Sequence, residues 1–566
     1  MVMRKYYLFT AILMIIALVS CNEEQWLDEV PLDFYAPENS FIEPEHFEAA
    51  VTRIYNRWTS FHYHNTPCMP FIGSMADNMY SIGTRISLHN NEMVPETGTV
   101  SSWWRNQYGI VSLANTVIDR IDLERVNFPD ETLRNIRKAE AKFFRANAYK
   151  ELVITFGGVP LILQEVQAAR RDFVRAPREE VLNQVVQDLQ FAVDNLPHVS
   201  EREADGRLTT AAASHSLAEV YIMLEQWDNA INEASKVIND PDYALMTERF
   251  GTRSDEPGDV FWDLFRRDNQ NRNGRGGFNS EAIWVAQFEY NVPGSHAPNV
   301  WWIVPRMFGP RYYALEGKED GLPLFRGHSS QNGGRTNSFT GTTPYVDYDI
   351  WEEDWNDMRN SGYNIWRDMV ADNPASMYYG DSIVKNDVIR EESIGEWRQN
   401  WRPFWIKYVP HGNFPDAVID NSLFPGATTS RARGSYTDRY IYRLAETYLL
   451  RAEAFIGKGD LQSAANDINV VRARANATPV TPDRVDIDYL LDERARELNI
   501  EEYRLLTLLR MGKLVERVQK YHVYYNGYYQ SNTVNPRQAL WPIPQSEIER
   551  NAGNVLEQNP GYVGGD

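Results

Sequence analysis

Cysteine is nearly absent from the 566 residues: there are two, Cys21 and Cys68, so disulfides cannot be the main source of stability. Positive charge is in the minority, with 57 Lys and Arg against 78 Asp and Glu and a net charge of −21, which argues against a nucleic-acid backbone or an anionic lipid surface as partner. Long apolar runs are missing beyond the first twenty residues, and the mean hydropathy is −0.50, which excludes a multi-span transporter. Also missing are a glycine-rich phosphate loop, His-Glu-x-x-His, Cys-x-x-Cys and Gly-x-Ser-x-Gly, so four common enzyme routes lack their signatures. What the chain does have is 43% hydrophobic and 13% aromatic residues, enough to bury a full core. Its length suits about three or four domains, or equally one body grown by stacking helical repeats.

The N-terminus carries an address. Arg4 and Lys5 precede an apolar stretch from Leu8 to Val19, shorter than the ~20 residues of a membrane-spanning helix, and the stretch reads as a signal peptide over residues 1–20. It ends Leu18-Val19-Ser20-Cys21, which resembles a bacterial lipobox, so Cys21 is the expected lipidation site and mature N-terminus. Two or more acyl chains, at about 0.8 kcal/mol per buried CH₂, anchor a protein stably. The following Asn22-Glu23-Glu24 resembles the acidic tag that sends some Gram-negative lipoproteins to the outer face of the outer membrane.

Helical periodicity dominates residues 21–249, with helices expected at about Trp103–Ile121, Leu133–Ile154 and Glu179–Asn195. Ala218, Tyr221, Ala230, Ala234 and Val237 recur 234 residues later as Ala452, Phe455, Ala464, Ile468 and Val471. Small residues let two helices approach closely while an aromatic fills the groove beside them, which is the packing of a tetratricopeptide hairpin. Between 250 and 439 the period fades, Gly, Pro and Asn rise, and ten of the sixteen tryptophans cluster, which marks a loop-rich aromatic lobe. Over 440–566 helix resumes, from near Tyr440 to about Gln519, and an irregular tail follows. The expected fold is mostly α, a tetratricopeptide-like helical repeat base with a large irregular loop-rich lobe.

Several segments in this order resemble the SusD/RagB family of surface glycan-binding lipoproteins. They are Ala139-Glu140-Ala141-Lys142-Phe143-Phe144-Arg145-Ala146 with Phe156-Gly157-Gly158-Val159-Pro160-Leu161, Gly206-Arg207-Leu208-Thr209-Thr210-Ala211-Ala212, and Arg451-Ala452-Glu453-Ala454 with Val471-Arg472-Ala473-Arg474-Ala475. Glu493-Arg494-Ala495-Arg496-Glu497-Leu498, Leu540-Trp541-Pro542-Ile543-Pro544 and Gln558-Asn559-Pro560-Gly561-Tyr562 complete the set. One departure is Arg504-Leu505-Leu506-Thr507-Leu508, where the family usually has Arg-Trp-x-Asp-Leu. The charged residues Glu493, Arg494, Arg496, Glu497 and Arg504 are expected to pair along or between helices rather than bind a ligand. The resemblance implies a non-catalytic lipid-anchored protein at the cell surface that captures oligosaccharide and passes it to a SusC-like TonB-dependent transporter, with the helical base facing that partner.

A sugar ring has an apolar C–H face and a rim of hydroxyls, so its site needs flat aromatic platforms beside polar groups. Trp301, Trp302, Tyr312 and Tyr313 offer platforms, as do Trp351 and Trp355 if a helix puts them on one side. The resemblance implies that the loop before Trp103 borders the ligand, which adds Asp77, Asn78, Arg85, His89 and Asn90. Six carboxylates between Asp347 and Asp357 read as a solvated acidic surface. They leave open a structural Ca²⁺, although no EF-hand glycine turn is present, and glycoside hydrolysis by a carboxylate pair. His62, His64 and Cys68 are too few for a soft-metal cage, so no metal or cofactor is assigned. A surface glycosidase and a peptide-binding member of the same scaffold are the two rival functions.

Overall fold

A computed structural model describes residues 41–63, 70–82, 93–273, 278–290, 292, 304–522 and 534–565. Cys21, the lipobox, His64 and Cys68 lie outside them, as do five of the expected site residues: Arg85, His89, Asn90, Trp301 and Trp302.

The base is built from long helices whose ends follow local chemistry. They are α1 (Pro44–His62), α2 (Gly98–Arg120), α3 (Glu131–Phe156), α4 (Arg178–Asn195), α5 (Thr210–Met223) and α6 (Trp227–Ile238). After the lobe come α7 (Leu444–Lys458), α8 (Leu461–Arg474), α9 (Ile487–Leu498), α10 (Arg504–Arg510) and α11 (Leu514–Tyr521). Asp130 starts α3 by accepting a hydrogen bond from the Leu133 amide at 2.8 Å, and Gly157, at φ 72°, ends it. Gly459 ends α7 in the left-handed region, and Asp460 caps α8 one residue on.

From α2 to α6 each helix packs on its sequence neighbour, and α6 then packs on α7, which packs on α8. The two hairpins that repeat at an offset of 234 residues are therefore neighbours in space, joined across two hundred residues of chain. Ile222, Ala230, Leu450 and Ala454 form their seam. Gly457 is needed there, because a Cβ at this position would fall 2.7 Å from the Trp227 ring. No helix among the described residues is long and apolar enough to cross a membrane.

The lobe is irregular, with short helical turns and two-stranded ladders. The pairs are β1 (Met79–Ser81) with β5 (Thr340–Thr342), β2 (Val159–Pro160) with β3 (Arg175–Ala176), β4 (Ala282–Ala286) with β8 (Arg439–Arg443), and β6 (Ile365–Trp366) with β7 (Phe404–Trp405). The β2–β3 pair belongs to the base; β4–β8 carries the chain out of the lobe into α7.

Charge, fully buried, joins lobe to base. Glu493 on α9 pairs with Arg359 of the lobe (2.7 Å), Arg472 of α8 (2.8 Å) and Arg496 (2.8 Å). Glu497, one turn on, meets Arg359 (3.0 Å), Arg443 (2.5 Å) and Arg474. Glu281 and Asp357 close the cluster on Arg443 and Arg359 at 2.7 and 2.6 Å. Burial alone would raise the Glu497 pKa, yet Arg474, Arg443 and Arg359 hold it well below the usual range. The pairing expected for this charged helix is present, and it crosses between layers. Glu497→Gln keeps the volume but leaves three guanidiniums short of a counter-charge; we expect a loss of about 3–5 kcal/mol of unfolding free energy. The urea midpoint measures it, and an unchanged midpoint would show that the cluster does not clamp the lobe.

Candidate functional site

The described residues converge on one aromatic edge of the lobe, at the β1–β5 pair. Tyr80 lies opposite Gly341, and glycine is required there because any Cβ would collide with the Tyr80 ring. The Ile82 amide continues the ladder to the Phe339 carbonyl at 2.9 Å. Trp397 packs against Tyr80 and Ile82, and the Tyr80 hydroxyl donates to the Trp397 carbonyl at 3.2 Å. The turn that holds this half-buried indole is strained: Gly395, Trp397 and Arg398 have φ of 75°, 60° and 48°. A left-handed non-glycine residue costs about 1–3 kcal/mol and persists where surrounding contacts over-determine it, commonly at ligand sites. Ile82, the last described residue before position 93, ends on this edge, and the helical turn Val304–Phe308, which follows Trp301 and Trp302 in sequence, packs on β5.

Tyr313 sits beside the same turn. The Arg311 amide donates to the Gln399 carbonyl at 2.9 Å, which ties the Tyr312–Tyr313 turn to the Trp397 segment. The half-buried Tyr313 ring lies 4.1 Å from His328, and its hydroxyl donates to the Thr336 carbonyl. Burial, then Arg335, pushes the His328 pKa down to about 4, so the imidazole beside Tyr313 is neutral at neutral pH. The half-buried indole of Trp397 and the neighbouring Arg398 bring an aromatic ring and a guanidinium to this edge.

Of the five remaining expected site residues, four are buried and one is exposed. Asp77 is fully buried, paired with Arg504 at 2.8 Å and Arg517 at 2.7 Å. Burial opposes ionisation there, but the two guanidiniums bring its pKa down to about 2. Asn78 is also buried and donates to Asn499 at 2.9 Å. These two anchor the approach to β1; with no exposed surface they cannot touch a sugar. Tyr312 is fully buried and donates to the Gly334 carbonyl at 2.9 Å, so it is core. Trp351 is fully buried as well, its indole N–H on the Val346 carbonyl at 2.9 Å. The segment around it is a set of short turns rather than one helix, so Trp351 and Trp355 do not share a face. Trp355 is 52% exposed, with the Arg367 guanidinium 4.9 Å from its ring centroid.

The acidic segment is less of a solvated surface than its composition suggests. Asp357 is buried on Arg359, and Asp354 pairs with Arg472. Asp347 is buried and accepts from Trp405 Nε1 (3.0 Å) and Thr342 Oγ1 (2.9 Å). His62 is likewise committed, with Nε2 2.9 Å from Glu151. Trp397 and Tyr80 were not singled out by sequence reasoning. Gly395 two residues before Trp397 is the one local signal, and it is weak.

A stacked helical base that carries an irregular lobe with an aromatic edge defines a repeat-scaffold binding protein. The chain belongs to the SusD family: residues 350–562 match the model described as SusD family, and residues 26–222 match one described as starch-binding associating with outer membrane. It is 27% identical over 573 residues to SusD-like protein P2 of Formosa agariphila, covering 99% of this chain and 100% of that one. It is 38% identical over 171 residues to the starch-binding protein SusD of Bacteroides thetaiotaomicron, 30% of this chain and 26% of that one. A solved laminarin binding SusD-like protein has the same fold, with a TM-score of 0.64 and 22% identity over 92% of this chain and 99% of that one.

Burial raises the Asp347 pKa to about 6, only partly offset by Trp405 and Thr342. The folded state thus holds this proton more tightly than the unfolded state, and its contribution to stability is full below the ordinary carboxylate range and lost as pH rises through about 6. Asp347→Asn removes that slope. Thermal melts across pH should show a gain of about 1–2 kcal/mol at mildly alkaline pH and little change in acid; parallel curves would refute the assignment.

Proposed function

We propose that this protein captures oligosaccharide at the outer face of the outer membrane and hands it to a SusC-like TonB-dependent transporter, without catalysing a reaction. The observation that carries this reading is the half-buried Trp397 indole, held on strained backbone against Tyr80 and Ile82; Arg85, His89 and Asn90 follow Ile82 in sequence, and Trp301 and Trp302 precede the Val304–Phe308 turn. Stacking on the sugar C–H face supplies binding energy, and the loop polar groups orient the hydroxyls. The family's description as starch-binding and outer-membrane-associated supports the ligand class and the location. A lipid on Cys21 tethers the protein and raises its effective concentration for the transporter. The stacked helices of the base present the extended surface that suits the transporter contact.

Affinity electrophoresis across a panel of neutral polysaccharides, followed by calorimetry on the best ligand, tests the reading. Trp397→Ala should weaken binding by about 1–3 kcal/mol, and alanine at both Trp301 and Trp302 should do likewise. Unchanged affinity in all these variants would remove the edge from consideration. New reducing ends on incubation with any of the polysaccharides would reject pure binding.

A further inference from the structure

We infer a second ligand site in a half-open cavity of about 340 Å³ between α2, the β2–β3 hairpin and the C-terminal tail, suited to a uronate unit of an acidic oligosaccharide. Its lining comes entirely from the base and the tail, so it is separate from the lobe edge. The assignment of a sugar as ligand rests on the glycan reading above; the assignment of charge rests on the cavity.

The volume lies at the small end of ligand pockets, about 300–1,000 Å³. One wall is aromatic: Trp104 and Tyr108 sit one turn apart on α2 with ring centroids 4.9 Å apart, and Phe173 joins them from the segment before β3. The walls are tied in place by hydrogen bonds within the protein. Tyr108 donates to the Pro160 carbonyl at 2.8 Å, and the Asn551 side chain both accepts from the Phe173 amide and donates to its carbonyl, each at 2.8 Å. The Gly553 amide reaches the Arg171 carbonyl at 2.6 Å, and a Cβ on Gly553 would sit 2.7 Å from that oxygen, so the tail is seated where only glycine fits. A cavity whose walls are already ordered loses little entropy on binding.

The charge around it is unusual for this chain. Arg105 and Arg550 line the cavity, and Arg57 lies directly across Gly109, where any side chain would collide with its guanidinium. Arg57 donates to the Asn106 and Arg105 carbonyls, and Arg105 donates through Nε to the Ser101 carbonyl. No carboxylate pairs with Arg57 or Arg105 among the described residues. Glu547, at 3.1 Å from Arg550, is the one acid in the lining. A protein of net charge −21 therefore keeps a locally cationic pocket beside aromatic rings. A guanidinium pairs with a carboxylate through two parallel hydrogen bonds, while the half-buried Tyr108 and Phe173 rings, backed by Trp104, accept a pyranose face. A neutral sugar satisfies only the second requirement.

Calorimetry with trigalacturonate and with its methyl ester isolates the carboxylate, since the ester keeps the rings and removes the charge. The acid should bind at least tenfold more tightly than the ester and lose affinity as salt is raised. The double variant Arg105→Ala, Arg550→Ala should weaken the acid at least tenfold. Both side chains reach solvent, and a melting temperature on each variant confirms that it folds. No binding of the acid, equal affinity for acid and ester, or wild-type affinity in the double variant overturns the site. If neutral glycans bind nowhere while trigalacturonate still binds through Arg105 and Arg550, the capture reading fails and this one stands.

Discussion

The structure depends on a buried bargain between opposite charges at α9. Taking a carboxylate or a guanidinium out of water costs several kcal/mol per ion, and the cost is recovered only when each ion meets partners of good geometry. Here Glu493 and Glu497 each touch three cations drawn from three parts of the chain: Arg359 of the lobe, Arg443 at the lobe's exit, and Arg472 and Arg474 of α8 together with Arg496 of α9 itself. Lys407 adds a further lobe contact, with Nζ 2.7 Å from Glu501 and 2.6 Å from the Glu497 carbonyl. Burial brings its pKa down to about 8, against the pull of Glu501. An apolar interface of similar area would let the lobe slide, whereas forked guanidiniums meeting carboxylates fix its position and angle. The lobe precedes α9 in sequence but cannot complete its seat until α9 is present.

That dependence explains which parts of the architecture were legible in sequence. The helices were, because burying one face imposes a period: α2, α3 and α4 lie within a few residues of their expected bounds, with only the start of α2 five residues earlier. The repeat was legible because Ala218, Ala230, Ala234, Ala452 and Ala464 are all fully buried where helices touch. The pairing of Glu493, Arg496 and Glu497 followed from their spacing, but their partners Arg359 and Arg443 could not be foreseen. A salt bridge across 54 residues, as for Arg443 and Glu497, or 134, as for Arg359 and Glu493, leaves no pattern in the local sequence.

The lobe resisted for a different reason. In an irregular segment nothing periodic separates an inward ring from an outward one, so Tyr312 and Tyr313, adjacent in sequence, end with one fully buried and the other half-buried. The same holds for Trp351 and Trp355, and for the acids around them. Asp77 misled because the resemblance put its loop beside the ligand, while two guanidiniums hold its carboxylate inside. Trp397 went unmarked because what singles it out is a backbone angle, and left-handed φ at a tryptophan has no signature in composition.

The acidity of the chain then sets how its two candidate sites divide their ligands. At physiological salt, exposed charges act over about 8 Å, so the body's excess of carboxylates is felt by a ligand only as it approaches the surface. A long polyuronate lying along that surface would meet repulsion at many points and attraction at one cavity. A short oligosaccharide with a single acidic unit meets the reverse, because Arg105 and Arg550 act at contact while its neutral residues are indifferent to the field. The lobe edge imposes no such charge test through the half-buried Trp397 ring, which takes a ring face whatever its charge. Neutral glycans therefore suit the edge, and acid-bearing ends suit the cavity between α2 and the tail; the division follows from two guanidiniums, Arg105 and Arg550, facing one carboxylate, Glu547, in that cavity of an otherwise negative protein.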